Sequence, residues 1–223
     1  MRKALGREDL KSVYGRIAKR YDVLHACLTA RADQRGRRLL VENSVGEGDK
    51  VLDCGAGTGT TGILAAGKAG PGGRVTMFDL SDAMLAVARD KVARAGLQDR
   101  VAFQNGDMVH LPFRDDSFDV VLSTYSLCPL YDPEAGAGEM YRVTRPGGRI
   151  GVAHSTEPGN PALKRLADRV EDWAWRYPGL SMGCRAVQVL PALERLGGRL
   201  VFARTIGVPL WPFFVFVMEK PSA

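Results

Sequence analysis

Residues 50–79 read KVLDCGAGTGTTGILAAGKAGPGGRVTMFD. Val51-Leu52 is an apolar strand start that ends in an acid, Asp53. Gly55, Gly57, Gly59 and Gly62 follow in a short loop, and then comes a helix-forming run from Ile63 to Ala69. Pro71-Gly72-Gly73 marks a turn, and Arg74 to Phe78 is a second strand that ends in another acid, Asp79. Strand, glycine loop, helix and strand in this order make one βαβ unit, with the loop at the carboxyl edge of its first strand. In an open α/β sheet that edge is where a nucleotide-like ligand binds. Glycines there let the backbone turn sharply and approach the ligand.

Two ligand chemistries fit the loop. Gly57-Thr58-Gly59-Thr60-Thr61-Gly62 satisfies the dinucleotide fingerprint G-x-G-x-x-G, and Asp79 falls where its ribose-binding acid belongs. A lone match of that kind is weak. The further feature is Asp53, two residues before the first glycine. Its carboxylate would repel a pyrophosphate and attract an ammonium. S-adenosylmethionine carries an ammonium, a sulfonium, a ribose and an adenine, and no phosphate. The arrangement D-x-G-x-G-T-G from Asp53 to Gly59 resembles the first motif of the class I methyltransferases that use it.

The chain has 223 residues, a size that suits one domain, and its apolar fraction of 45% can fill a core. No run reaches the roughly 20 apolar residues that cross a bilayer. The longest, Leu210 to Met218, has 9 residues and contains Pro212. The polar start, Met1 to Leu10, does not read as a signal peptide, so a cytoplasmic location is expected. Cys27, Cys54, Cys128 and Cys184 are widely spaced, which suits reduced thiols and gives no zinc-binding pattern. Of the net charge of +6, residues 1–40 carry more than all: eleven Lys or Arg against four acids. A solvated basic helix face is one reading, and peripheral contact with an anionic membrane is another. No stacking-aromatic or base-reading motif supports nucleic acid as a partner. A monomer and a homodimer are equally compatible with the sequence.

Outward from the βαβ unit, strands are expected at 49–54, 74–79, 100–105 and 118–124, and helices at 60–69 and 81–95, with Ser81 as an N-cap. A helix from Glu134 to Thr144, a turn at Arg145-Pro-Gly-Gly148 and a fifth strand, Arg149 to His154, follow. On the amino-terminal side, Leu10, Val13, Tyr14 and Ile17 recur at helical spacing within Asp9–Arg20, and Asp33–Asn43 reads as a second helix. Beyond His154 the spacing predicts helices over Pro161–Tyr177, with Trp173 and Tyr177 on one face, and over Arg185–Leu196. Two β-rich runs, Arg199–Ile206 and Trp211–Glu219, are joined too closely for a parallel crossover and must pair antiparallel. The expected fold is α/β: a Rossmann-like, seven-stranded, mostly parallel sheet with helices on both faces, its last strand antiparallel. Residues 1–45 are expected to form a helical lid, and residues 46–223 the sheet domain.

The resemblance extends past the glycine loop. Gln104-Asn-Gly-Asp-Met-Val-His-Leu-Pro-Phe113, Asp116-Ser-Phe-Asp-Val-Val-Leu122 and Tyr141-Arg-Val-Thr-Arg-Pro-Gly-Gly-Arg149 are similar to the later methyltransferase motifs. Val13-Tyr-Gly-Arg-Ile-Ala-Lys-Arg-Tyr-Asp22 resembles the opening segment of the ubiquinone/menaquinone C-methyltransferases. This resemblance implies S-adenosylmethionine as cofactor and a small, lipophilic acceptor. It places Asp53 and the backbone of Gly55 and Gly57 at the methionine end, with Thr58 lining the loop. It gives Asp79 the ribose hydroxyls, with Leu80 beside it, and Asp107 the adenine amino group, with Met108 on the ring. Thr124 would flank the methionine portion, and Tyr21 would close over the cofactor.

A sulfonium methyl is already activated, so the reaction needs positioning more than acid–base help. A base serves only where the acceptor must lose a proton. His154, at the end of the fifth strand, is the candidate. The quinone-methylase pattern Gly-Gly-Arg…Glu-Phe-Ser…Pro is replaced here by His154-Ser155-Thr156-Glu157-Pro158 after Gly-Gly-Arg149, which argues against a quinone acceptor. The alternatives are a thiol or arsenite S-methyltransferase, with Cys27, Cys128 and Cys184 as soft ligands, and a nicotinamide-binding oxidoreductase.

Overall fold

The computed structural model describes residues 5–29, 31–174 and 186–222. Seven strands form one sheet: β1 (Lys50–Cys54), β2 (Arg74–Asp79), β3 (Val101–Asn105), β4 (Phe118–Thr124), β5 (Thr144–Ser155), β6 (Arg199–Val208) and β7 (Trp211–Glu219). Their order across the sheet is β3-β2-β1-β4-β5-β7-β6. β1 to β5 are mutually parallel, and β7 runs antiparallel to both of its neighbours. The chain thus reverses direction across the sheet between β1 and β4, the switch point where such folds open a crevice.

The helices are α1 (Arg7–Ile17), α2 (Tyr21–Leu28), α3 (Ala32–Ser44), α4 (Thr60–Ala69), α5 (Asp82–Arg94), α6 (Pro133–Val143), α7 (Pro161–Ala174) and α8 (Leu190–Arg195). Alternation along the strands sends successive side chains to opposite faces. Val51, Val120, Leu122, Val215 and Val217 meet Leu40 of α3, Ala65 of α4 and Leu85 of α5 on one face. Leu52, Val121, Ile150, Phe216 and Met218 meet Ala137 and Met140 of α6 and Leu193 of α8 on the other. Both layers are closed, so the ends of the strands, and not the sheet faces, are left to form a site.

Several expectations change. α2 is a helix of its own, begun at Tyr21 after a short 3-10 turn at Ala18–Arg20, where the sequence placed only the end of a helix. α3 packs on α4, β5 and β7. The expected turn at 145–148 lies inside β5: the register with β4 jumps between Phe118 and Val120, and Gly147 takes φ 73° in the bulge. Among the described residues of the expected helix over 185–196, regular helix covers Leu190–Arg195, with Pro191 in its first turn. Arg185, Cys184 and Tyr177, and the side chains of Trp173 and Cys27, lie outside the described residues.

Candidate functional site

The glycine loop joins β1 to α4 in a conformation that other residues would resist. Gly55, Gly57 and Gly59 have φ of 68°, 54° and 81°. A Cβ on Gly55 would also stand 2.2 Å from the Ser126 Cβ. The backbone amides of Gly55 and Ala56 donate to the Phe78 carbonyl, at 2.8 and 3.0 Å, so the loop leans on the end of β2. Beside it opens a cleft. Its floor is the carboxyl edge of the sheet, and its roof is Leu10, Lys11 and Tyr14 of α1 with Tyr21 of α2.

Of the residues singled out from sequence, Tyr21, Gly55, Gly57, Asp79, Leu80, Asp107, Met108 and Thr124 line this one cleft. Asp79, the last residue of β2, accepts from the Gly57 amide through Oδ2 and from the Ser81 amide through Oδ1, both at 2.8 Å. Each oxygen keeps one lone-pair site for a ligand. Burial pushes its pKa above the usual carboxylate range, against those two amide bonds. Asp107 lies across the cleft at the end of β3, and Met108 beside it is buried.

Three of the named residues are off the cleft. Thr58 is buried beneath the loop, where its Oγ1 donates to Asp22 at 2.6 Å; Lys91 of α5 reaches the same Asp22 carboxylate at 2.9 Å. The Thr58 side chain therefore ties α2 to the glycine loop and does not line the wall. His154 is 2% exposed, with its ring edge-on to Phe214 and Phe216. Its Nδ1 sits 2.8 Å from the Ser155 carbonyl, and its Nε2 is buried without a partner. Burial lowers its pKa, so the ring is neutral at pH 7. Asp53 is 0% exposed at the end of β1, and neither carboxylate oxygen has a hydrogen-bond partner among the described residues. Burial raises its pKa to about 7, despite the opposing pull of Arg37 and the Gly62 amide. It can act on a ligand only through its field.

The sequence missed a buried polar network behind the cleft wall. Arg37, read as one of many surface cations, is 5% exposed, and its guanidinium donates to Thr61 and Thr124 at 2.8 and 2.7 Å. Asp33 accepts from Thr29 and Gln34 and lies 3.1 Å from His25 Nδ1. Tyr125, next to Thr124, lines the cleft with a left-handed φ of 61°. Gly36 leaves room for its hydroxyl, which a Cβ there would approach to 2.2 Å. None of this was signalled locally, because each partner comes from a different element. Among the described residues no cluster of His, Cys, Asp and Glu could hold a metal, and no helix is long and apolar enough to cross a membrane. Cys54 and Cys128 are buried and form no disulfide with each other, and the Ser155 amide donates to Cys128 Sγ at 3.2 Å.

The sheet order and the glycine-loop cleft at its switch point define a fold, that of the S-adenosylmethionine-dependent methyltransferases. A solved structure described as a SAM-dependent methyltransferase, possible histamine N-methyltransferase, from Thermotoga maritima superposes with a TM-score of 0.70 at 19% identity, over 95% of this chain and 99% of that one. Residues 2–175 match the ubiE/COQ5 methyltransferase family, and the chain belongs to it. It is 35% identical over 162 residues to the ubiquinone/menaquinone biosynthesis C-methyltransferase UbiE of Ectopseudomonas mendocina, covering 72% of this chain and 63% of that protein. It is 32% identical over 158 residues to the demethylmenaquinone methyltransferase of Lactobacillus johnsonii, covering 70% and 65%. The match thus spans slightly less than two thirds of these relatives' length.

Proposed function

We propose that the chain transfers a methyl group from S-adenosylmethionine to a small, lipophilic acceptor. The observation that carries this reading is the charge of the cleft. Asp79 and Asp107 line it, and Asp53 lies unpartnered beneath its glycine loop. Two lining acids against one lining cation, Lys11, disfavour a pyrophosphate and suit a cationic, phosphate-free nucleoside, with Asp53 adding to the field to the extent that it is ionised. The cofactor supplies an activated methyl on a sulfonium. Gly55 and Gly57 would present backbone to the methionine end, with the field of Asp53 acting on its ammonium. The free lone pairs of Asp79 would take the ribose hydroxyls. Leu80 and Met108 would flank the adenine, and Asp107 would accept from its amino group. Thr124 and Tyr21 would border the methyl, and α1 with α2 would exclude water above it. In-line placement of methyl and acceptor can supply about 7–11 kcal/mol of the barrier.

The relatives' names make a demethylmenaquinone the first acceptor to try, although the His154-Ser155-Thr156 departure argues against it, with arsenite and a thiol as the contrasting ones. Calorimetry with S-adenosylmethionine and with NADH tests the cofactor, and transfer of a labelled methyl tests the acceptor. Asp79→Ala is expected to weaken S-adenosylmethionine binding by about 1.5–3 kcal/mol, the range for a hydrogen bond to a charged group. NADH binding in place of S-adenosylmethionine would overturn the reading.

A further inference from the structure

Asp107 is surrounded by more donors than a loop acid needs. The Tyr131 hydroxyl donates to its Oδ2 at 2.8 Å, and Arg7 Nε donates to the same oxygen at 3.1 Å from α1, a hundred residues away in sequence. The Val109 amide donates to Oδ1 at 3.2 Å. A carboxylate offers about four lone-pair sites. Two on Oδ2 and one on Oδ1 are filled, which leaves one site, on Oδ1, in a residue that lines the cleft. The Asp107 side chain is only 12% exposed, so it has little water with which to share that site.

We infer that Tyr131 and Arg7 are positioning residues that make Asp107 a reader of one amino N–H, and so set the preference of the cleft for adenine over its deaminated form. The inference rests on the proposed function, because it takes the ligand to be an adenosyl compound. The two donors fix the carboxylate's rotation. Tyr131 remains a neutral donor at physiological pH: burial and its bond to Asp107 push its phenol up to about 12. An adenine amino group brings an N–H to the vacant lone pair. Hypoxanthine brings a carbonyl oxygen to the same place, and two acceptors then face each other. A site built to receive an N–H rejects the analogue without one far more strongly than an apolar pocket can. Arg7 has a second consequence, since the bond that orients Asp107 also holds α1 over the adenine end of the cleft.

The test compares S-adenosylhomocysteine with S-inosylhomocysteine by calorimetry on the whole chain. The wild type is expected to prefer the adenosyl form by at least about 10-fold, from the range for hydrogen bonds to charged groups. Tyr131→Phe deletes one hydroxyl and should cut that preference by about 3- to 10-fold, with the inosyl affinity held within about twofold. Arg7→Gln should do the same to a smaller degree, because Arg7 is half exposed. A general loosening of the fold would weaken both ligands together and leave their ratio intact. A wild type that does not discriminate, or variants that keep the full ratio, overturn the inference. If S-adenosylhomocysteine itself fails to bind, the adenosyl reading of the cleft falls, and this inference falls with it.

Discussion

Two carboxylates lie buried on either side of one cation and are treated in opposite ways. Asp33, in α3, has Thr29, Gln34 and His25 within contact distance of its oxygens, and Arg37 Nε at 3.7 Å. Those partners outweigh burial and hold its pKa well below the usual carboxylate range. Asp53, near the end of β1, also feels Arg37 and the nearby Gly62 amide but has no partner in good hydrogen-bond geometry among the described residues, and burial raises its pKa to about 7. The first carboxylate accepts two side-chain hydrogen bonds and sits between two cation-forming side chains, although His25 Nδ1 and Arg37 Nε lack hydrogen-bond geometry to it. The second is a group the fold accommodates at a cost. Where a protein keeps such a group under a ligand loop, the missing partner is reasonably sought in the ligand.

The comparison breaks most sharply at Asp33. Asp33→Ala leaves Arg37 and His25 buried without their anion, which for a broken buried ion pair costs about 3–5 kcal/mol. Urea denaturation should show it as a lower midpoint at an unchanged slope. Loss below 1 kcal/mol would mean that the network is ornamental.

Asp53 should behave in the reverse sense. Its pKa is about 7 in the folded chain and near the ordinary carboxylate value of 3.8 when unfolded. Between those values the folded state binds the extra proton, so this group's contribution to stability falls as pH rises from about 4 to 7. Asp33, with its lowered pKa, contributes stability above its unfolded value that is lost only as pH falls through its folded one. Asp53→Asn removes the ionisation penalty. A gain of about 2–3 kcal/mol is expected above pH 7, and none below pH 4, once solvent relaxation has returned part of the full displacement. Cofactor affinity should fall in the same variant, the usual exchange of stability against a functional group. Equal stability gains at pH 4 and pH 8 would show that the carboxylate is not ionising where its burial implies.

The same two residues show what could be read from sequence. Asp53 was visible because its position is local: an acid, one residue, then a glycine loop. The periodicity around it likewise placed β1, α4, β2 and α5 to within a residue of the structure. Asp33 and Arg37 were hidden, since residue type alone assigns charged side chains to the surface. Their burial depends on Thr61 and Thr124, 24 and 87 residues from Arg37. α2 was missed for the same reason. Its second residue, Asp22, bonds to Thr58 and Lys91, contacts that no window of sequence contains. The cleft floor is encoded locally, and its roof and rear wall are encoded by distance.

His154 gives the smallest expected change in stability and the finest cut between the two kinds of buried group. Like Asp53, it has an orphan: Nε2 is buried and unpartnered. Like Asp33, it also has a partner, since Nδ1 is 2.8 Å from the Ser155 carbonyl. Its pKa is lowered by burial, so its neutral form contributes stability that is present above the unfolded value and lost as pH falls through the folded one, opposite in direction to Asp53. His154→Phe keeps an aromatic ring against Phe214 and Phe216. It loses one hydrogen bond and removes one unsatisfied nitrogen, each worth about 1 kcal/mol with opposite sign, so stability should stay within about 1 kcal/mol of wild type. If His154 is a packing residue, labelled-methyl turnover in the variant will match wild type. If Nε2 is kept for an acceptor proton, turnover will fall about 100-fold or more, the lower range for general-base help, while cofactor affinity stays constant. A fall in affinity together with unchanged turnover per bound cofactor would remove His154 from the acceptor side altogether.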